Sequence, residues 1–162
     1  MHKFLPLILI SILFTSCTSK NSAFKYFEKK DDIETKSIQF TKKADILKAD
    51  EVETIMWATY LNKIDKNISN YKREVFLVSL YFSNAESQSI KTNGYKFLLN
   101  GKESTLGEKV EIDYENFKSL ITKNSWGNYY LVKFGTLNDS SNLKLELSNE
   151  ASSKKATLDY EK

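Results

Sequence analysis

Residues 74–82 read Glu-Val-Phe-Leu-Val-Ser-Leu-Tyr-Phe, and both alternating sets of side chains in this segment are mainly apolar. Successive side chains of a β-strand point to opposite faces of a sheet, so a strand of this composition has to be covered on both faces. β-Branched and aromatic residues dominate the segment, as they do in strands generally. Residues 74–82 therefore predict a central strand with packing on both sides.

Shorter strand patterns follow further along the chain. Residues 129–134, Tyr-Tyr-Leu-Val-Lys-Phe, and residues 143–147, Leu-Lys-Leu-Glu-Leu, predict two more strands. Residues 95–99 predict another, because they lie between Asn93-Gly94 and Asn100-Gly101, and Asn-Gly is typical of tight turns. Weaker patterns predict strands at 110–112, 117–121 and 156–160.

The region before residue 74 is harder to interpret. Residues 37–41, Ser-Ile-Gln-Phe-Thr, alternate and predict a short strand. Residues 44–62 fit a helical face by spacing, but many of their apolar residues are β-branched or aromatic. We favour a strand here because the chain downstream is rich in strand patterns. A helix at about 45–62, which would make the fold α+β, is the alternative.

These patterns give about seven to nine short strands without a repeat and without regular alternation with helices. They predict an all-β fold, an immunoglobulin-like antiparallel β-sandwich over residues 37–162. The Cys…Trp…Cys pattern of antibody domains is absent, so such a sandwich would lack their disulfide. The region loosely resembles small immunoglobulin-like lipoproteins of Gram-negative bacteria. That resemblance rests on residues 58–62, 76–82 and 98–101 and transfers no site residues.

The N-terminus carries an apolar run from Phe4 to Phe14, followed by Thr15, Ser16 and Cys17. The run has 11 residues, whereas a helix that spans a membrane needs about 20, so it predicts a cleaved signal peptide over residues 1–16. Phe14-Thr15-Ser16-Cys17 resembles the lipobox of bacterial lipoproteins. The resemblance implies cleavage before Cys17 and lipid attachment to it, as a diacylglyceryl thioether and usually an N-acyl chain such as palmitate.

A lipid on Cys17 would tether the mature chain to a membrane, because two or more acyl chains hold a protein stably at a bilayer. Residues 17–36 would then be the lipidated N-terminus and tether. Within them, Phe24-Lys25-Tyr26-Phe27 is expected to dock on the domain, with partner binding as the alternative. Thr18 instead of Asp after Cys17 is similar to the outer-membrane-directed pattern of the family, which favours the outer membrane.

Cleavage and lipidation would also remove the side chains on which most types of catalytic site depend. His2, Pro6 and Cys17 are the only residues of their types, so the mature chain would have no imidazole and no free thiol. Ser-His-Asp and Cys-His catalysis, and zinc and copper sites, depend on those groups. Loss of one lysine and no acid takes the net charge from +3 to +2, which gives no signature of nucleic-acid binding. We expect no cofactor, no metal and no enzymatic activity.

A pair of carboxylates remains possible as catalytic groups, since glycosidases need only two acids. Asp113, Glu115, Asp139 and Glu150 are hydrolase candidates by residue type alone, although each fits a surface charge better. Residues 139–142, Asp-Ser-Ser-Asn, offer oxygen ligands for calcium but lack the spacing of a calcium loop and fit a plain turn better.

Aromatic residues are numerous, with nine Tyr and two Trp. Trp126, Tyr129 and Tyr130 lie beside a turn and are a candidate exposed surface for sugar, peptide or protein. Their commoner role would be packing, with Trp126 on the core and one tyrosine facing out. Together these observations predict a membrane-anchored envelope lipoprotein that acts as a non-enzymatic binding or assembly module, with an envelope protein or glycan as partner. The alternative is a carboxylate-based hydrolase of envelope polymers.

Overall fold

The computed structural model describes residues 32–64, 73–83, 85–111, 120, 126–135, 137 and 140–162. The predicted signal peptide, Cys17 and the aromatic segment at 24–27 lie outside these ranges. So do most residues of the strand predicted at 117–121, of which only Leu120 is described. Residues Asp32–Lys162 belong to one compact unit.

One helix and nine strands make up the described part of this unit. Helix α1 covers Asp32–Gln39, and a 3-10 turn covers Leu61–Lys63. The strands are β1 Thr41–Lys48, β2 Glu51–Tyr60, β3 Arg73–Phe82, β4 Tyr95–Leu99, β5 Lys102–Glu103, β6 Leu106–Val110, β7 Asn128–Gly135, β8 Asn142–Asn149 and β9 Lys154–Glu161. Within the described ranges no helix is both long enough and apolar enough to cross a membrane.

The strands form two antiparallel sheets that pack face to face. The first has the order β1-β2-β3-β7-β6 and the second the order β5-β4-β8-β9. Large apolar side chains from both sheets fill the space between them, which makes the fold a β-sandwich. The prediction of an all-β sandwich is confirmed.

Strand β3 is covered on both faces, as its composition predicts. Phe76, Val78 and Leu80 are fully buried between the two sheets. Val75 and Leu77, on the other face, are 3% exposed and belong to a second apolar cluster. That cluster also takes in Leu61, Ile64, Leu120 and Tyr129, and Ile33 and Phe40 pack against it. The first sheet therefore has a core on each side.

The strand predicted at residues 37–41 is wrong, because residues 37–39 belong to α1. Ile33, buried Ser37 and Phe40 are spaced by four and three residues, which is the spacing of one helical face. Ile38 would share a face with Phe40 in a strand, but in the helix it is 56% exposed. Packing of the helical face on the sheet decides against the local alternation.

The choice of strand over helix for residues 44–62 is confirmed, and the helix at about 45–62 is wrong. The segment is a hairpin of β1 and β2 rather than one long strand. Its two-residue turn is Ala49-Asp50, with φ of 50° and 68°. Turns with two positive φ values favour Asn and Gly, so these residues gave no turn signal. The Asn-Gly signal itself is confirmed at Asn100-Gly101, which joins β4 to β5 with φ of 49° and 79°.

Candidate functional site

The three aromatic residues singled out from the sequence do not share one surface. Trp126 is 75% exposed, whereas Tyr129 and Tyr130 are each 5% exposed. Neighbouring residues of a strand point to opposite faces, so Tyr130 enters the inter-sheet core and Tyr129 enters the second cluster. Of the three, only Trp126 offers an exposed ring.

The candidate acids are not brought together in the described part of the chain. Glu150 is exposed and forms an ion pair with Lys96, while Asp113, Glu115 and Asp139 lie outside the described residues. Residues 140–142 are held by hydrogen bonds to the Asn100 side chain. Among the residues described, no group of three His, Cys, Asp or Glu is placed to hold a metal ion.

A cavity of about 510 Å³ lies at one end of the sandwich and was not foreseen from the sequence. We call it the Thr54 cavity. Its walls come from the end of β1, the first residues of β2 and β4, the last residues of β3 and β8, the start of β9, and two connections, Ala85 to Asn93 and the β8–β9 turn. The residues that matter most for its chemistry are Glu53, Thr54, Phe82, Tyr95, Asn149 and Lys154.

A β-bulge brings two consecutive residues of β2 to this cavity. Ile46 pairs with Thr54 but Leu47 pairs with Val52, so Glu53 is an extra residue in the ladder. In a regular strand Glu53 and Thr54 would point to opposite faces, and a bulge re-aims one of them. Ser83 fixes the bulge, because its backbone N–H donates to the Glu53 carbonyl at 2.9 Å and its hydroxyl donates to the Val52 carbonyl.

Glu53 forms an ion pair with Lys154 across the two sheets. Their side chains are 27% and 26% exposed, so the pair sits at the rim of the Thr54 cavity rather than in bulk solvent. Lys48 and Glu86 also line the cavity. Two cations and two anions therefore face this space, and its charges balance.

Thr54 is fully buried, and its hydroxyl oxygen has almost no surface open to solvent or to a ligand. The hydroxyl acts instead on the neighbouring Tyr95 phenol, so it belongs to the packing behind the cavity wall. Ser79 Oγ is also buried, and it lies on the opposite face of the first sheet and does not line the cavity.

No family model, curated protein or solved structure matches this chain.

Two aromatic rings form the apolar part of the wall. Phe82 and Tyr95 pack with ring centroids 5.5 Å apart, and they are 3% and 9% exposed. Burial raises the pKa of Tyr95, and the Glu53 carboxylate acts in the same direction, while the Thr54 hydroxyl and the Lys154 ammonium oppose the rise. Tyr95 therefore carries a neutral phenol at neutral pH.

Side-chain amides hold the Ala85–Asn93 wall in place. Gln88 accepts from the Phe82 N–H at 2.9 Å and donates to the Phe82 carbonyl at 2.7 Å, as a strand partner would. Asn93 donates to the carbonyls of Ser87 and Ser89 at 2.7 and 2.9 Å, and Asn149 donates to the Asn93 carbonyl at 2.9 Å. The wall is therefore fixed to both sheets before any ligand arrives.

Sequence reasoning missed this site because its residues are spread over six strands and two connections. No two of the key residues form a spaced motif, apart from the adjacent Glu53-Thr54. The one usable signal is Asn93-Gly94, which by itself predicts only a turn. Gly94 has φ of 70°, and Asn93 belongs to the wall itself.

Proposed function

We propose that the chain is a non-enzymatic binding module, anchored to a membrane of the bacterial cell envelope through lipid on Cys17, and that its ligand occupies the Thr54 cavity. The observation that carries the binding role is a cavity of about 510 Å³ whose lining residues come from both sheets. Ligand sites in proteins commonly have volumes of about 300–1,000 Å³.

Polar groups converge on the cavity from both sheets. Ten of its thirteen lining residues are polar or charged, among them Asn93, Asn149 and the Glu53–Lys154 pair, and the other three are Phe82, Ala85 and Tyr95. Such a wall can form hydrogen bonds with a polar ligand. The hydrogen bonds of Gln88 and Asn93 hold it rigid, and a preorganised site loses less entropy on binding.

The anchor is supported by the lipobox-like segment Phe14-Thr15-Ser16-Cys17 and by the apolar run before it. Thr18 favours the outer membrane over the inner one. Anchoring and binding belong together in this proposal, since a tethered module samples ligands at a high local concentration near the bilayer. The loose resemblance to immunoglobulin-like lipoproteins of Gram-negative bacteria fits this placement.

The anchor is tested with full-length Cys17→Ser expressed in a Gram-negative host, with Ser19→Ala as the matched control. We expect the wild type and Ser19→Ala to incorporate labelled palmitate, to be processed in a globomycin-sensitive way and to sediment with membranes. Cys17→Ser should lose all three properties. A Cys17→Ser protein that still sediments with washed membranes would refute the anchor.

The binding role is tested by a photo-crosslinking residue placed at Ser152, on the cavity rim, or at Lys102, beyond the far end of β4. Irradiation of intact cells should give an adduct at Ser152 that is absent at Lys102. The adduct should disappear when Ser87→Trp fills the cavity. Equal labelling at both positions, or labelling that survives Ser87→Trp, contradicts a ligand in the cavity.

A hydrolase of envelope polymers is the second candidate, because Glu53 and Glu86 line the same cavity. Glycoside hydrolysis needs one carboxyl group as a proton donor and another as base or nucleophile. Glu53 is already paired with the Lys154 ammonium at the rim of the cavity. Turnover of isolated envelope polymers that is lost in both Glu53→Gln and Glu86→Gln would favour this alternative over binding.

A further inference from the structure

We infer that the chain pairs with a second copy of itself through strand β1, edge to edge and antiparallel about a two-fold axis. Strand β1 lies at the end of the first sheet, where it pairs with β2 on one side. On its other side no strand is present among the described residues. An edge strand of this kind offers backbone N–H and C=O groups to another chain. This inference does not depend on a ligand in the Thr54 cavity.

Strand β1 is the longest open edge in the described part of the two sheets. It has eight residues, whereas the edge strands β6 and β5 have five and two. The fourth edge strand, β9, also has eight residues, but there the Lys42 ammonium already donates to the carbonyl of Asp159. No comparable hydrogen bond reaches the edge of β1 within the described ranges. Pairing with another chain therefore satisfies more backbone groups at β1 than at any of the other three.

The direction of the peptide groups follows from the ladder between β1 and β2. The Tyr60 N–H donates to the Phe40 carbonyl at 3.1 Å, so these opposite residues form a hydrogen-bonded pair. Hydrogen-bonded and non-hydrogen-bonded pairs alternate along an antiparallel ladder. The bulge does not disturb this alternation on β1, because its extra residue lies on β2. Four residues therefore direct their N–H and C=O groups to the open edge, namely Thr41, Lys43, Asp45 and Leu47.

One register satisfies both the hydrogen bonds and the charges of this edge. When two copies of β1 run antiparallel, only the register centred on Ala44 pairs all four of the outward residues. It places Thr41 opposite Leu47 and Lys43 opposite Asp45, twice over because of the two-fold axis. The neighbouring registers place Lys43 opposite Lys43, or Asp45 opposite Asp45. Opposite charges stabilise a cross-strand pair and like charges destabilise it, so the charges select the register that makes the most hydrogen bonds.

The side chains that this contact needs are accessible. Lys43 and Asp45 have side chains that are 47% and 29% exposed, and they form an ion pair of 2.8 Å on one face of β1. Leu47, near the end of the strand, is 55% exposed. A lysine on an edge strand usually discourages pairing with other strands. Here Lys43 finds Asp45 opposite it in a second copy, so the edge is self-complementary, as a two-fold interface requires.

Sedimentation velocity of the full-length lipidated protein in detergent micelles, across a series of protein concentrations, tests the interface. We expect a reversible dimer. Lys43→Asp places like charges opposite each other and should weaken the dimer at least about tenfold. The double variant Lys43→Asp/Asp45→Lys restores opposite charges and should recover the affinity. Lys144→Asp is the matched control, because Lys144 forms a similar ion pair of 3.6 Å with Glu146 on β8, away from this edge, and should leave the dimer unchanged.

Ala44→Cys tests the register, because in the inferred contact Ala44 lies opposite its own copy in a non-hydrogen-bonded pair. The Cα atoms of such a pair are about 4.5 Å apart, which is within the range of a disulfide. Copper–phenanthroline, added to intact cells as the oxidant, should therefore crosslink Ala44→Cys into a dimer. Lys144→Cys is the control on a strand that is not at an edge, and the wild type reports any crosslink through Cys17.

A dimer that Lys43→Asp weakens and the double variant restores, with a crosslink in Ala44→Cys alone, supports the inference. A protein that stays monomeric and gives no crosslink overturns it. A dimer that is equally stable in Lys43→Asp uses another surface, and the inference is then wrong. If Ala44→Cys crosslinks to a different protein instead of its own copy, the edge of β1 serves another partner, and a second copy is excluded as the occupant.

Discussion

Tyr60 donates a hydrogen bond of 2.6 Å to Glu74 Oε2 inside the sandwich, where the two residues are 2% and 3% exposed. The other oxygen of Glu74 lies 2.7 Å from Lys162 Nζ. The carboxylate is thus satisfied on both sides, by a phenol of the first sheet and by an ammonium that follows β9. A buried carboxylate is tolerated only with such partners, so these two contacts hold the sheets in one arrangement.

Tyr60→Phe removes the hydrogen bond and keeps the ring, which stacks on Phe76 with centroids 5.0 Å apart. We expect a loss of about 1–3 kcal/mol in the free energy of unfolding, because Glu74 loses one partner in a buried site. Urea unfolding followed by circular dichroism measures it. Tyr81→Phe, which removes a hydroxyl from a half-buried ring, should cost less than about 0.5 kcal/mol. Equal costs for the two variants would mean that the Glu74 contact contributes nothing.

Two buried tyrosines predict a loss of stability at high pH. Burial raises the pKa of both Tyr60 and Tyr160, the Glu74 contact raises that of Tyr60 further, and Lys42 partly opposes the rise at Tyr160. In the unfolded chain each phenol titrates near about pH 10. Above that pH the unfolded state releases protons that the folded state retains, so unfolding becomes more favourable as pH rises. Their stabilising effect is complete below about pH 10 and declines above it.

Each retained proton contributes a slope of about 1.4 kcal/mol per pH unit to this decline. Tyr160→Phe removes one of them, so its stability should fall by about 1 kcal/mol less than that of the wild type between pH 10 and 11, where the unfolded phenol is still partly protonated. Urea unfolding at pH 7, 9, 10, 10.5 and 11 gives both slopes. Parallel slopes for the two proteins would contradict the retention of the Tyr160 proton.

The strands were predictable from the sequence where a single local pattern sets them. Residues 95–99, 129–134 and 143–147 all lie in observed strands, because alternation and turn residues agree there. The helix at Asp32–Gln39 was not predictable, since Ile33, Ser37 and Phe40 form a helical face only when the outer face of the sheet is present to cover it. Tertiary packing overrides the local alternation in that segment.

The Thr54 cavity was unpredictable for a different reason. Its shape depends on a bulge at Glu53, and one extra residue in a strand leaves no mark in the composition. Lys154 lies 101 positions from Glu53 in the chain, so their pairing depends on how the two sheets stack. Thr54 looks like an ordinary strand residue, and its place beside the cavity is visible only in three dimensions.

Gly101 should be required for the β4–β5 turn. Its φ is 79° and a Cβ at this position would meet nothing within 4 Å, so any cost of Gly101→Ala comes from the backbone alone. We expect a loss of about 1–2 kcal/mol in the free energy of unfolding. Gly135→Ala is the control, because its surroundings are equally open and its φ is not positive. A similar loss in Gly135→Ala would show that the left-handed conformation is not the cause.

Ala49 offers a route to a more stable protein. It adopts φ of 50° in the β1–β2 turn, a conformation that asparagine accepts more readily than alanine. Ala49→Asn should raise the free energy of unfolding by about 0.5–1 kcal/mol. Ala151→Asn is the control, because Ala151 is also an exposed turn residue but has no positive φ. Equal gains in stability for the two variants would mean that the polar side chain itself, and not the conformation of the turn, causes the effect.

The bulge can be removed by deletion of Glu53, which should restore a regular ladder of hydrogen bonds between β1 and β2. Ile46 would still pair with Thr54 and Leu47 with Val52, now without an extra residue between them. The deletion removes the ion pair with Lys154, as Glu53→Ala also does. If the bulge serves to present Glu53 to the cavity, the deletion should cost no more stability than Glu53→Ala, about 0–1 kcal/mol for a partly exposed pair.

Urea unfolding of the two variants gives this comparison, and the crosslinking residue at Ser152 reports the cavity in each of them. Both variants should lose the Ser152 adduct if the carboxylate contacts the ligand. A deletion that costs several kcal/mol more than Glu53→Ala would show that the bulge supports the sheet itself, through the hydrogen bonds from Ser83 to the Glu53 and Val52 carbonyls. A small loss of stability together with loss of the adduct would mean that the extra residue serves ligand binding and is not needed for the fold.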